Sequence, residues 1–209
     1  MSHDDFAFEP IRGLPEALPE GEHILWQGSP SVLKLAREGF KINWIIGYFA
    51  VLAVWRVAVS STLLPMEQAM MHAIPFAVIC AVVVGALIGL AWVQARATVY
   101  TLTNKRVGMR IGAALTMTLN LPYVKIGNAT LDLKRSGHGT IAFELLDETR
   151  FSYVTLWPNV RPWHFAKTQP ALRCIADAEK VAEIFAEAAE IRTSQPRVER
   201  IDATAMAAE

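Results

Sequence analysis

Apolar residues are distributed unevenly along this chain, and their spacing changes character twice. Residues 44–64 (WIIGYFAVLAVWRVAVSSTLL) hold one charge, Arg56, and residues 73–93 (AIPFAVICAVVVGALIGLAWV) hold none. About 20 residues at ~1.5 Å rise cross the ~30 Å hydrocarbon core of a bilayer, so each stretch predicts a membrane-spanning helix. The connector 65–72 (PMEQAMMH) is too short to carry a domain, which makes the pair a tight antiparallel hairpin. Arg56 is costly in such a setting, roughly 2.5–3.5 kcal/mol at a span centre. It either snorkels towards the outer headgroups or needs an acceptor inside the membrane. The second span carries small residues every fourth position, Ala73, Ala77, Ala81, Gly85 and Gly89. A ridge of this kind lets a helix approach closely. It receives either the first span of the same chain or a helix from another molecule.

After the hairpin the period drops to two. In 116–121 (TMTLNL), Met117, Leu119 and Leu121 alternate with polar residues; in 139–145 (GTIAFEL), Ile141, Phe143 and Leu145 share a face. Residues 97–103 (ATVYTLT) and 151–157 (FSYVTLW) have the same β-branched and aromatic richness. Turn residues interrupt these runs at short intervals, which predicts a small antiparallel sandwich or barrel. A closing helix follows, AEKVAEIFAEAAEI, with Asp177 at its N-cap and Ala178, Val181, Phe185 and Ala188 on one stripe. Ahead of the hairpin, Ser29-Pro30 suits a helix start, and VLKLAREGF predicts a short interfacial helix at about 30–40. HILWQG (23–28) reads as a strand able to pair with the later domain, and 1–21 reads as irregular. The expected fold class is thus an α+β membrane protein. An N-terminal segment (1–43) leads into a transmembrane hairpin (44–93), then an antiparallel β-domain with its C-terminal helix (97–191) and a disordered tail (192–209).

Composition adds orientation. The chain has 20 basic and 20 acidic residues, so it lacks the basic footprint of a nucleic-acid binder. Lys34, Arg37 and Lys41 precede the first span, Arg96, Lys105, Arg106 and Arg110 follow the second, and the connector has no Lys or Arg. By the positive-inside rule both termini are cytoplasmic, and Trp44 and Trp92 lie at one interface. Lys105, Arg106 and Arg110 form a candidate footprint for anionic lipid headgroups, or simply set the topology. Cys80 and Cys174 fall in chemically different segments and read as free thiols. The N-terminus lacks the basic region and short apolar core of a cleaved signal.

The five histidines are dispersed, and no HExxH, CxxC, Walker loop or GxSxG occurs. The expectation is a protein that is not an enzyme, with no metal and no cofactor. The segment that stands out is WPNVRPWHF (157–165), where Trp157, Trp163 and Phe165 lie among Arg161, His164 and two prolines. Aromatic and Arg residues dominate binding hot spots. The loop is either pinned to its own domain and the membrane surface or offered to a partner. A lone histidine such as His164 is more often structural than a pigment ligand.

Two resemblances bear on these expectations. YTLTNKRV (100–107), GHGTI (137–141) and the upstream EGEHILWQGSPS (20–31) resemble bacterial pleckstrin-homology-like domains that follow membrane hairpins. That resemblance implies a seven-stranded barrel-like sandwich plugged by a C-terminal helix. LPEGEHILWQGSP together with 157–185 resembles the PuhB family of photosynthetic complex assembly proteins in purple bacteria, from about residue 18 to 189. It implies partners among reaction-centre subunits and light-harvesting 1 components and residence in the bacterial inner (intracytoplasmic) membrane; the hairpin itself implies membrane lipids around it, and its ridge a second copy or a client helix as docking partner. That family is described with three spans. Here the best third stretch, 107–126, is broken by Arg110, Asn120, Pro122 and Lys125, so two are expected.

Overall fold

The computed structural model describes residues 10–113, 116–146 and 151–194. In chain order its elements are β1 (Ile24–Gly28), α1 (Val32–Glu38), α2 (Ile42–Ser60), α3 (Met66–Met71), α4 (Ile74–Ala97), β2 (Val99–Thr103), β3 (Arg106–Ile111) and β4 (Met117–Pro122). There follow β5 (Ile126–Leu133), β6 (Gly139–Leu145), α5 (Tyr153–Leu156), β7 (Ala171–Ile175) and α6 (Ala178–Ser194).

Helices α2 and α4 pack as a hairpin, each long and apolar enough to cross a membrane. Helix α2 stops at Ser60, earlier than its apolar run suggests. The hydroxyls of Ser61 and Thr62 donate to the carbonyls of Ala58 (2.8 Å) and Val59 (2.7 Å), turning the chain back on itself. His72 Nδ1 lies 2.8 Å from Ser60 Oγ and ties the far side of the connector to the end of α2. Pro75 sits in the first turn of α4, where its missing N–H is harmless. At its other end α4 runs on to Ala97, and one extended residue, Thr98, separates it from β2.

The predicted strand at 23–28 is β1, and it pairs antiparallel with β2, Gln27 opposite Thr101 and Gly28 opposite Tyr100. The first sheet has the order β1-β2-β3-β4 and the second β5-β6-β7. The folded unit therefore begins before the hairpin and not at residue 97. Between the sheets, Tyr100, Leu102, Val107, Met109, Ile141 and Phe143 are buried, and α6 closes the open edge. Its Phe185 stacks against Tyr123 and Phe143 with ring centroids 5.4 and 5.1 Å apart. Gly139 allows the start of α6 to come this near, since a Cβ there would stand 2.7 Å from that of Ala178.

Strand β2 is buried on both faces because the N-terminal segment covers its outer side. Gly13, at φ 84°, presses so close that a Cβ would lie 2.6 Å from Val99 Cγ1. Leu14 is buried, and Gln27 Nε2 donates to the Arg12 carbonyl (2.8 Å) and to Thr101 Oγ1 (3.0 Å).

Several expectations are corrected. Residues 153–156 form a helix, not a strand: the Ser152 hydroxyl accepts from the Thr155 N–H, and only Leu156 of the turn is buried. Strands β3, β5 and β7 were not foreseen. The N-cap of α1 is Ser31, not Ser29, and Pro30 lies ahead of the helix. Helix α1 is also more than an interfacial helix, because Leu35 and Ala36 are buried in protein. Asp177 precedes α6 with φ 49°, without the extended backbone of an ordinary N-cap. Helix α6 continues through Ser194; the rest of the expected tail (195–209) and residues 1–9 lie outside the described residues. The stretch 107–126 is strand and short 3-10 turn, as its polar breaks require.

Because β1 completes the first sheet, a chain with 42–94 replaced by a short Gly/Ser linker should melt cooperatively in circular dichroism. A fragment starting at residue 97 should not.

Candidate functional site

The ridge on α4 faces outward. Helix α4 meets α1 and α2 through a different stripe, on which Val84, Leu87 and Ala91 lie, while Ala81, Gly85 and Gly89 are exposed. A Cβ on Gly85 or Gly89 would meet nothing within 4 Å. The alternative left open by the sequence is thereby resolved: the ridge does not receive this chain's own first helix. Arg56 also points away from the hairpin, and it makes no hydrogen bond or ion pair among the described residues. With α2 ending at Ser60, Arg56 lies about one turn from the helix end.

The loop 157–165 divides into a pinned half and a presented half. Asn159 is buried; it accepts from the Tyr100 hydroxyl (2.6 Å), and its carbonyl accepts from the Ala171 N–H (2.9 Å). Val160 is buried and bridges Pro170, and the Arg161 N–H donates to the Gln169 carbonyl while Nη1 donates to its Oε1 (3.0 Å). Trp157 meets Phe40 edge-on, ring centroids 5.1 Å apart, which ties the loop to the turn between α1 and α2. Beyond Pro162 the side chains turn outward. Trp163, with φ 66°, is 78% exposed, and Phe165 is exposed beside it, also touching Tyr153. His164 Nδ1 lies 2.8 Å from the Pro162 carbonyl, a contact that shapes the turn. The backbone is thus held by the domain, while Trp163 and Phe165 are offered outward.

The three basic residues that read as a lipid footprint or as topology signals lie in different surroundings. Arg110 is only 3% exposed within β3. Arg106 Nε donates to Glu22 Oε1 at 2.9 Å, and the same oxygen accepts from the Thr103 hydroxyl at 2.8 Å. Lys105 reaches the Glu20 carbonyl (3.1 Å). Positive charge near a span looks the same in a sequence whether it faces a membrane or supports a fold; here Arg106 pairs with Glu22, while Arg110 lines a cavity with Arg12, Trp92 and Arg96 at the end of α4.

A second group of basic residues was not singled out. A cavity of about 400 Å³ lies where α1 turns into α2, against the second sheet and the loop, and Lys41, Lys134, Arg161 and Arg173 line it with Glu38 and Asp132. These positions are scattered through the sequence, so only the fold brings them together. No group of three or more His, Cys, Asp or Glu residues able to hold a metal occurs among the described residues.

Next to this cavity Cys174 is buried, its Sγ 3.8 Å from Glu38 Oε2. Burial, reinforced by the Glu38 charge, pushes the thiol up to about 12. Only a thiolate alkylates readily. Native protein should therefore resist iodoacetamide labelling at Cys174 near about pH 8, and unfolded protein should label quickly, as peptide mapping would show. The raised value also means that stability is lost as pH climbs from 9.0 towards about 12, because ionisation favours the unfolded chain. A separate test concerns Glu22, whose side chain is nearly fully buried. Arg106→Ala leaves that carboxylate without its cation and should cost about 3 kcal/mol in denaturant unfolding.

Comparison with known proteins shows the family of this chain. The bacterial PH domain family matches residues 42–189. An "uncharacterized 23.7 kDa protein in puhA 5′region" of Rhodobacter capsulatus is 47% identical over 204 residues, covering 95% of this chain and 94% of that protein. A crystal structure of a DUF1696-family protein with a pleckstrin-homology domain from Shewanella loihica superposes with a TM-score of 0.30 at 11% identity, over 44% of this chain and 71% of that one. With most of its length matched by the family and a near-full-length relative beside it, the chain belongs to the bacterial PH domain family.

Proposed function

We propose that this protein is a non-enzymatic assembly factor for the photosynthetic reaction centre and its light-harvesting 1 ring. In this reading it lies in the bacterial inner (intracytoplasmic) membrane as a two-span hairpin with both termini cytoplasmic, and it holds unassembled subunits there. The observation that carries the reading is the outward ridge Ala81–Gly85–Gly89, with open space over both glycines. Lipid-embedded helices gain packing energy at such ridges without a hydrophobic driving force between them. Trp163 and Phe165 add an apolar contact outside the bilayer, on a loop whose backbone is already ordered, so little entropy is lost when they dock.

The client class comes from the relative, whose name sets it in the region 5′ of puhA, a photosynthesis locus. Orientation follows from Lys34, Arg37, Lys41 and Arg96 at the domain end of the hairpin and a connector without Lys or Arg. Trp44 and Trp92 are exposed at that same end, with Arg96 stacked over Trp92 at 5.1 Å. The competing reading is a membrane-anchored PH-like module that binds anionic headgroups or regulates another membrane protein. With Arg106 paired to Glu22, its candidate residues are those of the cavity beside Lys41.

Because no described residue stands within 4 Å of a Cβ at Gly85 or Gly89, Gly85→Leu and Gly89→Leu should leave the hairpin inserted and block a partner helix. In a purple bacterium these variants, and Trp163→Ala with Phe165→Ala, should lower reaction-centre absorbance several-fold at unchanged levels of the protein in membranes. Normal complex levels in both sets would sink the docking reading.

A further inference from the structure

The cavity at the turn between α1 and α2 is basic and partly enclosed, and an apolar groove lies about one helical turn further along α2. Four cations and two carboxylates line it, so positive charge is in excess. Asp132 takes Lys134 at 2.9 Å, and Glu38 lies against the Cys174 thiol. Arg173 is 5% exposed; its Nη1 donates to the carbonyls of Pro158 (3.4 Å) and Val160 (3.1 Å), and its Nε has no acceptor among the described residues. A buried guanidinium with donors left over is an uncommon arrangement unless an anion completes it. Lys41 adds a second cation without any partner among the described residues, held on left-handed backbone (φ 57°) at the start of α2. That helix begins with no side-chain cap and no acidic residue in its first turn, so its N-terminal end is also free to face negative charge.

From Lys41 the helix continues into a groove of about 530 Å³ lined by Asn43, Trp44, Gly47, Tyr48 and Val51. Positions 41, 44, 48 and 51 fall on one stripe of α2. A Cβ at Gly47 would meet nothing within 4 Å, so the groove is open at its middle. One class of molecule has a phosphate at one end and a hydrocarbon chain running from it along an apolar helix. We propose that this cavity and groove together bind one anionic phospholipid, its phosphate between Lys41, Arg161 and Arg173 and an acyl chain along Trp44, Gly47 and Tyr48. The proposal rests on the reading of α2 and α4 as membrane spans, and it does not depend on which complex the protein helps to build.

The test uses the full-length chain, extracted from membranes in mild detergent, incubated with equal phosphatidylglycerol and phosphatidylcholine and read by native mass spectrometry. One phosphatidylglycerol should remain bound in preference to phosphatidylcholine, and an excess of inorganic phosphate should not displace it. Lys41→Gln and Arg161→Gln should each lower retention about tenfold, a loss of roughly 1.4 kcal/mol. Gly47→Leu should lower retention through the chain end while leaving every cation in place. Lys105→Gln, away from the cavity, should have no effect. Equal retention of the two lipids, or retention unchanged by Lys41→Gln, Arg161→Gln and Gly47→Leu, overturns the site. Displacement by inorganic phosphate would make it a soluble-anion site and also overturns it. If lipid selectivity is absent but Lys41→Gln and Arg161→Gln abolish co-purification of reaction-centre subunits, the cavity takes an acidic segment of a partner instead. Recovery of the chain in the soluble fraction would sink the membrane reading and the lipid site together; recovery in membranes without selectivity sinks the lipid site alone.

Discussion

The pairing of β1 with β2 is the constraint on which the rest of this structure depends. The two strands are neighbours in the sheet, yet the whole hairpin lies between Gly28 and Val99 in the chain. Closing so long a loop carries a conformational-entropy cost of several kcal/mol. The ladder from Ile24 opposite Thr103 to Gly28 opposite Tyr100 offsets it only with help from the packing around it. Gly13 and Leu14 supply that help by covering the outer face, and Glu22 locks the strand end through Thr103 and Arg106. The hairpin is therefore held at both ends by one sheet and is not tethered by a single linker.

A second fixture sets how the hairpin meets the domain. Leu35 of α1 packs against Ala95 of α4 and Cys174 of β7, while Ala36 packs against Ala91 and Ile42. The two alanines on α4 are small enough to let α1 come close, and the Ser31 N–H donates to the Cys174 carbonyl at 2.9 Å. This short helix is thus a wedge between the apolar helices and the second sheet. Phe40 extends the wedge to Trp157, so the loop carrying Trp163 and Phe165 is positioned by the same contact that orients the hairpin. The Glu38, Lys41 and Arg161 side chains meet in the cavity for the same reason.

Much of this was legible from residue spacing, and the failures have physical causes. The hairpin was readable because nothing but long apolar helices produces 44–64 and 73–93, and β1 because HILWQG has strand character with no helical continuation. Strand β5 (IGNATLDL) was missed because five of its eight residues are exposed, which leaves a weak apolar signal. Strand β7 was missed for the opposite reason: ALRCI is buried throughout and has no alternation to detect. The stretch around Tyr153 is rich in strand-forming residues, yet Ser152 starts a helical turn there. At the site, the loop and the ridge could be named from local pattern, but their directions could not, since a helix face is chosen by what packs on the other side. The cavity was invisible because Lys41, Arg161 and Arg173 share no spacing at all.

One detail of the backbone has a mechanical meaning. Helix α4 passes into β2 through Thr98 alone, and Thr98 is buried, so no flexible joint separates the apolar helix from the central ladder of the first sheet. At about 1.5 Å per residue its 24 residues make a stiff rod of about 36 Å. A lean of about ten degrees at the domain would sweep the far end of that rod through about 6 Å, roughly a helix radius. The sheet and the rod thus behave as one lever with its fulcrum at Ala91 and Ala95, where α1 bears on it. A push on the far end of the hairpin is thereby passed to the sheet, and a grip on the domain aims the ridge.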